Sequence, residues 1–157
     1  MDKKYIFPYI VNVCYIVNAK DEVLLQLKRR GFGKGKWNGP GGKIKSHETP
    51  EESVVREVKE ETGISIKGPQ KMGVLEFVFE DKPEWNNYMH VFICREFFGK
   101  PADKGEGELK WFKKEDLPFD KMWEDDRYWT PQVLEGKSVH MRFTLNKDGK
   151  LLKYKNL

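Results

Sequence analysis

The chain has 157 residues, of which 38% are hydrophobic and 34% charged, enough for one domain with a real core and a very polar surface. A net charge of +4, from 29 basic against 25 acidic residues, is too small an excess to indicate a nucleic-acid-binding surface, although it helps to attract a small polyanion. No apolar run approaches the ~20 residues needed to span a bilayer.

Lys3 and Lys4 precede YIFPYIVNVCYIV, a run with the outline of a signal peptide. Pro8 and Asn12 interrupt it, and no small-x-small cleavage site follows, so it reads as a first strand in a cytoplasmic protein. Strand patterns cover residues 10–18 and 23–29, joined by the polar turn Ala19-Lys20-Asp21-Glu22. A glycine-rich loop follows over residues 31–43. The next segment is the clearest helix in the chain, with Thr49 and Glu52 as a capping box, Pro50 at the first helical position and Gly63 as the stop. Further strands are expected at residues 72–79, 88–97 and 109–112. A second helical region runs from about Trp123 to Gly136, with Pro131 complicating its middle. The tail reads as a hairpin around Lys147-Asp148-Gly149. Strands mixed with two helices indicate an α+β layered fold, in one domain over residues 1–157. Cys14 and Cys94, each in an apolar run, read as buried free thiols. His47, His90 and His140 show no metal-ligand spacing, and no Ser/His/Asp arrangement stands out.

Chemistry is concentrated in the first helix. Glu57, Glu60 and Glu61 stand at i, i+3 and i+4 and share a face, beside an apolar stripe of Val54, Val55 and Val58. Like charges at these spacings weaken a helix by a few tenths of a kcal/mol per pair. A hard divalent cation with oxygen ligands, Mg²⁺ or Mn²⁺, would turn that repulsion into binding. On spacing alone, a solvated acidic helix and a metal site are equally open.

The wider pattern separates them. From Gly42 the chain reads GKIKSHETPEESVVREVKEETGI, with Gly42, Glu48, Arg56-Glu57-Val58, Glu60-Glu61 and Gly63-Ile64 spaced as in the Nudix box, which it resembles at every defining position. The resemblance implies the Nudix fold, a mixed β-sheet sandwiched between helices (α/β/α), and hydrolysis of a nucleoside diphosphate linked to another moiety. It also implies that Glu57, Glu60 and Glu61 bind Mg²⁺ or Mn²⁺ with help from the Gly42 carbonyl, and that Arg56 orients a catalytic glutamate. Either Glu60 or Glu61 would then handle the attacking water. Nudix enzymes often supply one more acid where this chain has GEGELKWF, and there Glu106 is favoured over Glu108.

The stretches KRRGFGKGKWNGPGGK and PFDKMWEDDRYW resemble the MutT-type members that hydrolyse oxidised purine nucleoside triphosphates. By that resemblance Asn38 bonds the base, Asp125 and Asp126 read its polar edge, and Trp123 stacks on it. Phe32 and Phe77 become pocket walls, Lys28 a rim residue, and Asn12 falls where the family has a small hydroxyl residue. Asn87 and Pro40 depart from the family's apolar and aromatic residues. Two adjacent carboxyls in a partly apolar pocket should not both ionise, so one of them should hold its proton. The competing reading makes the acids favourable charges at a helix N-terminus and the rings core; for Tyr128 and Trp129 core is preferred. The expectation is therefore a monomeric, Mg²⁺-dependent hydrolase of oxidised purine nucleoside triphosphates that releases pyrophosphate, with a small-molecule substrate and no nucleic-acid or membrane partner. The alternatives are a broader nucleoside triphosphate, nucleotide-sugar or dinucleotide pyrophosphohydrolase, and a nucleotide-binding regulator without turnover.

Overall fold

The computed structural model describes residues 5–157. Strand β1 (Tyr9–Ile16) turns into β2 (Glu22–Lys28) through a loop in which the Asn18 carboxamide oxygen accepts from the N–H groups of Lys20 and Glu22. Such a side-chain-closed turn suits the polar sequence between two apolar runs. The glycine-rich loop contains β3 (Trp37–Asn38), two residues long and without a sequence pattern of its own. Helix α1 (Pro50–Thr62) begins with both halves of the capping box formed and ends on Gly63 in the left-handed conformation. After it come β4 (Ser65–Ile66), β5 (Gln70–Phe79), β6 (Asn87–Cys94), β7 (Phe97–Phe98) and β8 (Gly107–Lys113). Helix α2 (Asp126–Leu134) then leads to the hairpin of β9 (Val139–Leu145) and β10 (Leu151–Asn156).

The main sheet is mixed, with strand order β1-β6-β5-β9-β10; β1/β6 and β5/β9 are parallel, β5/β6 and β9/β10 antiparallel. An antiparallel sheet β3-β2-β8 and the small β4-β7 pair complete it. Gly73 is required where β9 meets β5. A Cβ there would lie 1.8 Å from the Val139 carbonyl oxygen, and the β5/β6 register shifts at the same point. This bulge lets a parallel neighbour approach an otherwise antiparallel pair.

Alternation along β1 and β2 sends side chains to two cores. Cys14, Ile16 and Leu24 pack with Val54 and Val58 of α1 and with Phe92. Tyr15, Val23 and Leu25 pack with Leu75, Phe143 and, from α2, Trp129 and Val133. Each fully buried aliphatic side chain of this kind stabilises the fold by ~1.5–3 kcal/mol. The mixed sheet thus carries helices on both sides, as expected, while the apolar stripe of α1 is narrower than its sequence suggests. Val54 and Val58 are fully buried, but Val55 is exposed. Helix α2 runs through Pro131, held by burial of Trp129, Thr130, Val133 and Leu134. Both cysteines are buried and free. Among the described residues, no helix is long and apolar enough to cross a membrane.

Candidate active site

A cavity of about 450 Å³ opens between the two main sheets and the start of α2. That volume falls in the usual range for small-molecule sites. All eight residues assigned to the substrate line it: Asn12 and Lys28 from β1 and β2, Phe32 and Asn38 from the glycine-rich loop, Phe77 from β5, and Trp123, Asp125 and Asp126 at the entry to α2. The first and last of them, Asn12 and Asp126, are widely separated in the sequence, and only the fold brings them together.

One end is aromatic and acidic. The Trp123 ring is stacked on Phe32 at 5.0 Å between centroids and tilted by 27°, with the Lys36 ammonium 5.2 Å from its centre. Two glycines fix this ring edge-on. A Cβ on Gly149 would come within 2.5 Å of it and one on Gly33 within 3.2 Å. The hairpin that carries Gly149 is also tied down, since the Leu151 N–H donates to the Glu124 carboxylate at 2.8 Å.

Asp125 and Asp126 are 2% and 6% exposed. Asp125 occupies the N-cap position of α2, yet its side chain makes no cap bond. Its carboxylate instead accepts from the buried Trp129 indole N–H at 2.9 Å, which removes helix capping as its explanation. Burial pushes the Asp125 carboxyl up to about 6, against the pull of hydrogen bonds from Trp129 and Asp126. Asp126 is raised well above the ordinary carboxylate range, first by burial and then by the charge of Asp125 beside it. The pair therefore holds a proton more tightly than exposed carboxyls would, with one acid as donor and its neighbour as acceptor. Trp129 is core, as expected. Tyr128 is not: it is exposed and packs tilted against Tyr154, because the ring projects from the solvent side of α2.

The other end is the face of α1. Arg56 reaches both Glu48 oxygens, the Glu57 carboxylate at 3.0 Å, the Glu60 carboxylate at 3.1 Å and the Lys43 carbonyl at 3.3 Å. This bidentate bond holds the Glu48 carboxyl at about 2 and raises the guanidinium further. Glu57 packs against Gly42 so closely that a Cβ on Gly42 would lie 2.7 Å from its carboxyl carbon. Glu61 lines the cavity and accepts from the Gly41 N–H at 3.1 Å. Burial pushes its carboxyl to about 8, with Glu57 and Glu106 raising it further and Gly41 and Lys28 opposing. Burial also raises Glu57. Glu60 stands apart, more than half exposed and engaged by Arg56. Glu106 lies 3.6 Å from Arg30 but within the field of Glu61.

Among the described residues, no three acidic, histidine or cysteine side chains already converge as a metal cage. The donor set nonetheless fits a hard divalent cation. Its ligands are all oxygen, the Gly42 backbone leaves a hollow beside Glu57 that any side chain would fill, and burial raises both the Glu57 and the Glu61 carboxyls, a cost that a cation beside them would offset. The Gly42 carbonyl already accepts from the Asn12 N–H at 2.9 Å, which leaves it one lone pair.

Asn12 has a bracing position. Its carboxamide accepts from the Gly42 N–H at 3.0 Å and donates to Ser53 at 2.8 Å, so both its ends are engaged. It ties the Gly41-Gly42 segment to β1 and α1. Asn38 donates to the Lys36 carbonyl at 3.2 Å, and among the described residues nothing donates to its carboxamide oxygen. The Pro40 carbonyl accepts from the Cys14 N–H, which anchors the loop where the family's aromatic was expected. Residues missed by sequence reasoning also line the cavity, among them Gln26, Trp85, Met89 and Leu145. Only the aromatic Trp85 carried a local signal; the rest lie in ordinary strand patterns.

Comparison with known proteins agrees with this geometry. A family model described as the NUDIX domain matches residues 7–133. An oxidized purine nucleoside triphosphate hydrolase from Mus musculus is 37% identical over 139 residues, covering 88% of each chain. A protein of the same name from Danio rerio is 41% identical over 122 residues, covering 78% of each. The crystal structure of a MutT protein from Bacillus halodurans superposes with a TM-score of 0.84 at 32% identity, over 94% of this chain and 96% of that one.

Proposed function

This chain belongs to the Nudix family of hydrolases, and within it we propose a Mg²⁺-dependent enzyme that converts oxidised purine nucleoside triphosphates to monophosphate and pyrophosphate. The observation that carries this reading is one cavity with two chemically distinct ends. A stacking ring with a buried acid pair, both carboxyls raised by burial, lies at one end, and the acidic face of α1 at the other. The mouse and zebrafish relatives' names support the same substrate class.

A purine has flat apolar faces and an edge of donors and acceptors. Trp123 supplies stacking of roughly 1–3 kcal/mol. Oxidation of guanine at C8 adds a carbonyl and turns N7 into a donor, and the Asp125–Asp126 pair presents one acceptor and one donor to the base edge. Exchange of the proton between the two acids lets the same site read oxidised adenine as well.

At the other end, Glu57 and Glu61, with the Gly42 carbonyl and with Glu60 and Glu106 nearby, would hold the divalent cation. A cation bound there neutralises phosphate charge and lowers the pKa of bound water. Glu61 then orients the attacking water and takes its proton. It lines the cavity, whereas Glu60 is exposed and engaged by Arg56. Arg56 holds Glu57 in place through the Glu48 bridge, and Lys28 at the rim attracts the triphosphate. Hydrolysis of this kind removes damaged precursors before a polymerase uses them.

The test is Glu57→Gln. Hydrolysis should be lost while binding of the oxidised nucleoside is retained. Loss of base binding together with turnover would count against two separate ends, and retained turnover would remove the carboxylate from the reaction.

A further inference from the structure

We propose that Gln26 is a further specificity-determining residue of this site, its side-chain amide donating to a phosphoryl oxygen of the bound nucleotide. The inference rests on the nucleotide reading above and adds a residue that the Nudix motif does not contain.

Gln26 lies within β2, paired with Asn38 of β3 on one side and Leu109 of β8 on the other. The residues before it, Val23, Leu24 and Leu25, are fully buried and apolar. Gln26 is only 6% exposed, and among the described residues nothing accepts a hydrogen bond from its Nε2. Buried amides are nearly always hydrogen-bonded, and an apolar side chain of equal length would fill this space without the cost of desolvating a polar group. Nε2 is itself closed to solvent, but a half-turn of the terminal amide, a soft two-fold torsion, presents it to the cavity, where the ligand supplies the missing acceptor.

Its surroundings name that acceptor. Strand alternation puts Leu24, Gln26 and Lys28 on one face of β2, the face on which Leu24 packs against Val54 and Val58 of α1. Gln26, Lys28 and Glu61 line the same cavity. The Gln26 side chain lies over Gly107, where an added Cβ would come within 3.1 Å of Cγ. Gly107 directly follows Glu106, whose charge is felt by Glu61. The amide thus lies between Asn38, its cross-strand partner, and the Lys28–Glu61–Glu106 end, where the phosphates go, and away from the Trp123–Asp125–Asp126 end. A phosphoryl group offers acceptors only, which matches an unpaired N–H. A neutral donor also adds a contact without a further positive charge beside the acids that the cation needs.

The experiment uses Gln26→Met, which keeps length and removes both polar atoms, and Gln26→Glu, which keeps shape and replaces the donor by an acceptor. With divalent metal chelated, calorimetric titration gives Kd for 8-oxo-dGMP and for 8-oxo-2′-deoxyguanosine. Both variants should bind the monophosphate roughly tenfold or more weakly, and the nucleoside as wild type does. Gln26→Met should also melt no lower than wild type. Equal losses for nucleoside and monophosphate would move the contact to the base or sugar and overturn the proposal, as would unchanged binding of both. The two readings fail separately. If wild type binds dGMP as tightly as 8-oxo-dGMP, the oxidised-purine preference falls, and Gln26 is then judged by the same comparison between dGMP and deoxyguanosine. Wild type that binds a monophosphate no better than its nucleoside overturns the phosphoryl contact outright.

Discussion

Replacing Asp125 by asparagine should make the metal-free protein less sensitive to pH. The native side chain is 2% exposed, and burial displaces its carboxyl from 3.8 to about 6. A displacement of that size is worth ~3 kcal/mol. The folded state holds this proton more tightly than the unfolded state, so the stability linked to it is full below pH 4 and is lost as pH rises through about 6. Asp126, displaced further in the same direction, adds to that slope in the wild type. The asparagine of Asp125→Asn has nothing to titrate, its carboxamide oxygen can still accept from the Trp129 indole, and its neutrality eases the load on Asp126. For a domain of this size, ~3 kcal/mol corresponds to roughly 6–12 °C in Tm. Thermal denaturation by circular dichroism at pH 4 and pH 8, in chelator, should therefore show the variant gaining on wild type by about that amount as pH rises. The relative rates for oxidised guanine and oxidised adenine nucleotides should shift in the same variant, because an acceptor has been exchanged for an amide. A Tm offset that is the same at both pH values, or that favours the variant more at pH 4, would refute the buried, proton-sharing pair.

Two substitutions test the other end. Arg56→Ala removes the group that bridges Glu48, Glu57 and Glu60, and kcat/KM should fall roughly 10–100-fold. Arg56→Lys should not restore it, since an ammonium cannot reproduce the bidentate bond to Glu48; full activity in either variant would show that the bridge is only structural. Gly42→Ala places a methyl group 2.7 Å from the Glu57 carboxyl carbon. Mn²⁺ affinity, read by electron paramagnetic resonance, should drop at least ~10-fold while nucleoside binding is unaffected, and undiminished metal affinity would take Glu57 out of the cation site.

Helix α1 is legible in the sequence because everything that specifies it is local. Thr49, Pro50, Glu52 and Gly63 are contiguous signals, and each is used in the structure as expected. The strands that alternate or run apolar are also visible, within a few residues at their ends. The pairs β3, β4 and β7 are not, because two residues cannot show a period of two. The apolar stripe of α1 stops short of Val55, and Tyr128 lies outside the core despite the size of its ring; local pattern does not say which side of a helix another element covers. The cavity is legible only through resemblance. Gln26 and Leu145 come to line one cavity with Trp123 and Asp125 through strand order and crossovers that leave no mark in either neighbourhood. Gln26 is the hardest to see, since one amide in an apolar strand looks like an interruption until its missing partner is known.

The central claim, that a damaged purine nucleoside triphosphate fills this cavity, is tested most directly by kcat/KM for 8-oxo-dGTP against dGTP in Mg²⁺, with the products identified. The account predicts a clear preference for the oxidised nucleotide, with 8-oxo-dGMP and pyrophosphate as products. Equal values for the two nucleotides, or release of orthophosphate in place of pyrophosphate, would contradict it.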